Sequence, residues 1–161
     1  MERRVPMKGM LSRSHWLALS LALCGGAVGG AVASAHEAPP AGYQVIVNAA
    51  NPVTSLPSGE VAKLFLKKTG SWPEGGTVEP VDLREDSDVR REFSKEVLGK
   101  DVSTVKGYWQ ERIFTGRAVP PIEKSSEAEA IAFVASNRDA IGYVAATATL
   151  PADVKPLRVT H

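Results

Sequence analysis

Pro80-Val81-Asp82-Leu83-Arg84-Glu85-Asp86-Ser87-Asp88-Val89-Arg90-Arg91-Glu92-Phe93 reads as a short strand, a polar turn and the first turn of a helix. Asp86 or Ser87 is placed to cap that helix, with Arg84 just before the cap and Arg90 and Arg91 just inside it. The first N–H groups of a helix have no intrahelical acceptor, and its dipole is positive at that end, so an anion is favoured there. A serine hydroxyl and a guanidinium beside it can complete the shell. The same residues also suffice simply to start a helix.

Working outward, Thr77 to Leu83 is the strand that enters the turn. Val89, Phe93 and Val97 recur at steps of four after it, with Leu98 alongside and Gly99 as the stop. Upstream, Tyr43 to Ala49 carries consecutive β-branched residues at Val45, Ile46 and Val47, the mark of a buried strand. Asn51-Pro52 and Leu56-Pro57 break the chain. Ser58 to Lys68 is helical, with Val61, Leu64 and Phe65 on one face, and Lys67-Lys68 is a solvated helix end. Trp72, beside Pro73, anchors the loop over this helix.

Downstream, Asp101 or Ser103 caps a third helix whose apolar stripe is Val105, Tyr108, Trp109 and Ile113. Ala118 to Ile122, with Pro120-Pro121, is a rigid loop. Ser126 and Glu129 have capping-box spacing and open a fourth helix, with Ala128, Ile131, Val134 and Ala135 inward. Ala140 to Val144 is a buried strand, and Leu157 to Val159 one more. Strands separated by helices predict an α/β protein with a small mixed or mainly parallel sheet flanked by helices. Phe65, Phe93, Trp109 and Val144 are expected to be buried together.

The first 35 residues read as an export signal. Arg3, Arg4, Lys8 and Arg13 precede an apolar run from Trp16 to Cys24, and Ala33-Ser34-Ala35 has the small-x-small cleavage pattern. The apolar run is shorter than a bilayer span. Cys24 raises lipid attachment, although Leu23 before it is larger than a lipobox prefers. Residues 36–42 form a lead-in, and residues 43–161 one domain.

The chain has 19 Lys and Arg against 18 Asp and Glu. Without Glu2 and the four basic residues of the leader, a slight acidic excess remains. No basic stripe with interleaved aromatics points to nucleic acid. The only cysteine, Cys24, lies in the leader, so the domain has neither a disulfide nor a thiolate nucleophile. Past the leader, the histidines are His36 and His161, one at each end. No Ser–His or Cys–His pair is available for nucleophilic catalysis, no metal set is evident, and no cofactor is implied.

Several stretches, in this order, resemble the phosphate-binding proteins of bacterial ABC importers, within the periplasmic solute-binding superfamily. They are Val45-Ile46-Val47-Asn48 with Asn51-Pro52-Val53, Leu64 to Thr69 followed by Trp72, Pro80 to Ser87 through Arg90 and Phe93, and Ala140 to Val144. The resemblance implies one α/β lobe of a two-lobed receptor. It implies binding of phosphate or a related oxyanion, without enzymatic activity, in uptake or sensing with a membrane transporter. It implies an oxyanion site made by Arg84 and Ser87, together with Asp88 and Arg90. Asp88 and Val89 stand where the family carries Gly and Thr. A single lobe leaves half the cleft missing, which leaves open a homodimer of two half-sites or a ligand-less lobe that docks an envelope protein.

Overall fold

The computed structural model describes residues 42–161. The readings made on the leader, Cys24 and His36 fall outside these residues. Six strands and four helices follow one another as β1 (Tyr43–Asn48), β2 (Ser55–Pro57), α1 (Ser58–Phe65), β3 (Glu79–Leu83), α2 (Asp88–Glu96), α3 (Val102–Phe114), β4 (Ile122–Lys124), α4 (Glu127–Ser136), β5 (Ala140–Ala145) and β6 (Val154–Thr160). The strands form one sheet in the order β2-β6-β1-β5-β3-β4. β1 is antiparallel to both β5 and β6, while β2 is parallel to β6 and β3 is parallel to β5 and β4. The central strand therefore runs against the other five, and the sheet is mixed.

Alternation along the strands sends side chains to two apolar layers. Tyr43, Val45 and Val47 of β1, with Ile141 and Tyr143 of β5, face α1 and α2, where they meet Val61, Leu64, Phe65, Phe93 and Val97. Ile46, Val81, Ala140 and Val144 face the other way, onto Val134 of α4. Phe93 is the hub of the first layer. Its ring stacks on Tyr143 at 3.9 Å and meets Phe65 at 4.7 Å and Tyr43 edge-on at 5.5 Å. Trp72 is buried in this layer too. In the second layer, Gly142 is required by contact. A Cβ there would lie 2.7 Å from Val81 Cγ1 and 3.3 Å from Val134 Cγ2.

The expected core quartet is thus divided. Phe65 and Phe93 share the first layer, but Val144 lies in the second, because it is one strand position from Tyr143 and points to the opposite face. Trp109 is buried beside Tyr108, ring centroids 5.0 Å apart, away from the aromatic hub. Only Val105 and Trp109 of the α3 stripe are buried. Ile113 is 56% exposed, and Phe114 beside it, at the end of α3 beyond Trp109, is exposed too. On α4, Ala128 is exposed, and the buried positions are Ala130 and Val134.

Candidate oxyanion cleft at the ends of β3 and β4

β3 and β4 are adjacent and parallel, and their chains leave in different directions. From β3 the chain enters α2, which covers one face of the sheet. From β4 it enters α4, which covers the other face and leads to β5. Beyond the carboxyl ends of two such strands an α/β sheet has a crevice, the position where ligands bind in open sheets. Here it is a cleft of about 530 Å³. One wall is Leu83, Arg84, Asp86 and Ser87, and the other is Ser125, Ser126, Glu127 and Ala128.

Both walls are helix N-termini. Ser87 caps α2, its Oγ accepting from the Arg90 N–H at 3.3 Å. Ser126 caps α4 in the same way, accepting from the Glu129 N–H at 3.2 Å. The expected capping box closes one residue early, because the Glu129 carboxylate accepts from the N–H and hydroxyl of Ser125, at 3.0 and 2.6 Å. These bonds hold the Glu129 carboxyl below the usual carboxylate range. The first N–H groups of each helix, at Asp88 and Val89 and at Glu127 and Ala128, have no intrahelical acceptor. Two positive dipole ends thus meet at one cleft.

Arg84 and Ser87, the residues singled out in the sequence, line the cleft wall, and the Arg84 guanidinium is engaged. Arg84 donates from Nε to Asp86 Oδ1 at 3.1 Å and from Nη2 to Oδ2 at 2.8 Å, with both side chains more than half exposed. Asp88 is not in the wall. Its side chain is 92% exposed and pairs with Arg91. Glu127 turns its carboxylate toward β5, accepting from the Ala145 N–H at 2.8 Å.

Arg90 also lies outside the cleft. Its side chain is 6% exposed, with Nη2 3.1 Å from Asp82 Oδ2 and Nη1 2.9 Å from Glu123 Oε2. Nη1 also donates to the Leu83 carbonyl. Asp82 accepts in addition from the Tyr143 hydroxyl and, at 3.0 Å, from the Leu83 N–H. Burial pushes the Asp82 carboxyl up, against the pull of Arg90, Tyr143 and Leu83. Burial and the neighbouring Asp82 likewise push the Tyr143 phenol up. Arg90 therefore clamps the ends of β3 and β4 together beneath the cleft. The signal was in the sequence: Arg90 stands three residues before Phe93 and so shares its inward face.

The α4 wall was missed, although Ser126 and Glu129 were read as a helix start. Nothing in the sequence says that β4 lies beside β3, and that pairing brings the two starts together. Among the described residues no cluster of His, Cys, Asp or Glu has the makings of a metal site.

The class these features define is one of fold: an α/β domain with a mixed sheet, helices on both faces and a crevice between two helix N-termini. Solved structures that this chain is similar to include phosphate-transport receptors. One is an ABC-type phosphate transport receptor from Vibrio cholerae, at 20% identity and a TM-score of 0.56, matched over 73% of this chain and 46% of that one. A second is a phosphate ABC transporter substrate-binding protein with bound phosphate from Clostridium perfringens, described as putative. The match has 20% identity and a TM-score of 0.59, over 73% of this chain and 44% of that one. A third is PstS from Borrelia burgdorferi, at 16% identity and a TM-score of 0.51, over 73% and 47%. The likeness is one of fold, and the chain spans less than half the length of each. No protein-family model and no curated protein matches it by sequence.

Proposed function

We propose that this protein binds phosphate or a related oxyanion in the cleft between Ser87 and Ser126, in uptake or sensing with a membrane transporter, after export directed by residues 1–35. The observation that carries the reading is the meeting of two helix N-termini and Arg84 at the carboxyl ends of adjacent parallel strands. The fold likeness to phosphate receptors, one of them with phosphate bound, supports it. Among the described residues no helix is long and apolar enough to cross a membrane.

In this reading the Ser87 hydroxyl, whose oxygen already accepts from Arg90, donates its own proton to the anion. Arg84 swings from Asp86 to the ligand. Asp88 departs from the family's pattern without harm, because it is exposed and paired with Arg91 away from the cleft wall. The protein acts as a binder and not as an enzyme. A cleft open on one side leaves the ligand partly in water. Each charge-assisted hydrogen bond then contributes about 1.5–3 kcal/mol, against several kcal/mol for immobilising the ligand. Dissociation constants near millimolar follow for one chain, and tighter ones if two copies close on one ion.

Titration calorimetry with phosphate and sulfate at low ionic strength tests this. Arg84→Ala should weaken binding most, and Ser87→Ala less. No heat, and no chemical-shift change near Ser87 at tens of millimolar phosphate, would reject the reading. The engagement of Arg84 by Asp86 favours a second one, in which the lobe has no ligand and docks a protein of the envelope.

A further inference from the structure

Among the described residues the large apolar side chains left exposed are Ile113, Phe114, Val119 and Ile122, all within one stretch of ten residues. The stretch is the end of α3 and its loop into β4, at the opposite end of β4 from the cleft. Phe114 is 93% exposed. It stands on the last turn of a helix and has almost no contact with the rest of the protein.

The surroundings are cationic. Tyr108 donates to the Leu66 carbonyl at 2.8 Å and carries the Arg112 guanidinium 4.6 Å above its ring. The Arg117 N–H donates to the Arg112 carbonyl at 2.9 Å. Lys67 Nζ reaches the Pro120 carbonyl at 3.3 Å, and Lys68 follows it. Lys67, Arg112 and Arg117 thus stand in or against this stretch, with the carboxylates of Glu111 on the same turn and Glu79 in the hollow that Lys67 and Ile122 line. None of these three cations forms an ion pair among the described residues, whereas Lys63 and Lys106 pair with Glu60 and Glu85.

We infer that this tip docks on a membrane surface of anionic lipid, with Phe114 entering the interface and Lys67, Arg112 and Arg117 lying among acidic headgroups. Apolar side chains with Lys and Arg beside them suit the boundary between headgroups and acyl chains, and each cation near an anionic surface adds attraction. A protein partner needs a broad complementary face, of order 800 Å² on each side. A protruding phenylalanine at a helix end, with three scattered apolar neighbours, does not offer one. β4 itself is a poor edge for pairing, being three residues long and preceded by Pro120-Pro121.

The test reads the surface locally, so that residues 1–41 do not decide it. In the full chain carrying Cys24→Ser, a single cysteine is placed by Phe114→Cys and labelled with an environment-sensitive fluorophore. Asp153→Cys, on an exposed turn before β6, is the control. With vesicles of equal parts phosphatidylglycerol and phosphatidylcholine at low salt, the label at position 114 should shift to the blue, and the label at 153 should not. Adding Arg112→Glu and Arg117→Glu should weaken the vesicle dependence at least about tenfold, and high salt should reverse the shift. Four results would overturn the inference: no shift at 114, an equal shift at 153, an equal shift on pure phosphatidylcholine, or indifference to the charge reversals. A shift that follows protein concentration without vesicles would assign the tip to a second copy of this chain and overturn it as well.

Discussion

Arg90 illustrates how one residue's position along a helix outweighs its charge. Beside a helix start it reads as an anion ligand, but the helical repeat puts it on the face of Phe93, where Asp82 and Glu123 receive it. Removing one partner of a buried ion pair leaves the other uncompensated, at a cost of about 3–5 kcal/mol. Arg90→Met should lower stability by that order at neutral pH. Burial already raises the folded pKa of Asp82, and loss of Arg90 raises it further. A carboxyl so raised favours folding at low pH and loses that contribution as pH rises through its folded pKa. The deficit of the variant should therefore shrink in acid, as urea unfolding at two pH values would reveal. Phe93→Ala should cost about 3–5 kcal/mol, because it empties the centre of the aromatic hub. A loss within about 0.5 kcal/mol would contradict the packing described.

Caps and periodicity, which are local, made most elements legible. Four helices and four strands could be read from apolar spacing, and the caps resolved to Ser87, Asp101 and Ser126 from within the alternatives that spacing allowed. β2 and β4 were not legible. Each is three residues long, too short for a period, and prolines at Pro57 and Pro120-Pro121 read as breakers. Both are edge strands, where a missing N–H need not interrupt a ladder. The exposed end of α3 was misread for a related reason: apolar spacing predicts a face but not how far its partner extends. At the start of α3, Asp101 accepts from the Thr104 N–H at 2.6 Å and from the Ser103 hydroxyl at 2.8 Å, which hold its carboxyl below the ordinary value. A lowered carboxylate pKa supports folding above its unfolded value, ~3.9, and that support is lost as pH falls through the folded one. Asp101→Ala should lower the melting temperature at neutral pH, and the difference from the parent protein should narrow in acid.

For the molecule as a whole, the sequence conveyed the class of fold, and the strand order had to come from the structure. That order decides more than the location of a cleft. β1 is among the first parts of the domain to be synthesised, yet both of its neighbours, β5 and β6, come from the last stretch, residues 140–160. Its two edges stay bare until roughly one hundred further residues have been made, and such distant pairings slow folding into the millisecond-to-second range. Chains ending at residue 139 should show no cooperative unfolding in denaturant, and refolding of the full chain should be slow beside a helical bundle of its size. On a ribosome, protection from protease should arise late and at once, when residue 160 has cleared the exit tunnel. Until then the nascent polypeptide stays thread-like. For the export proposed above, a pore would need its passenger in that condition, and the placing of one strand would set a kinetic window for translocation before the domain closes on itself.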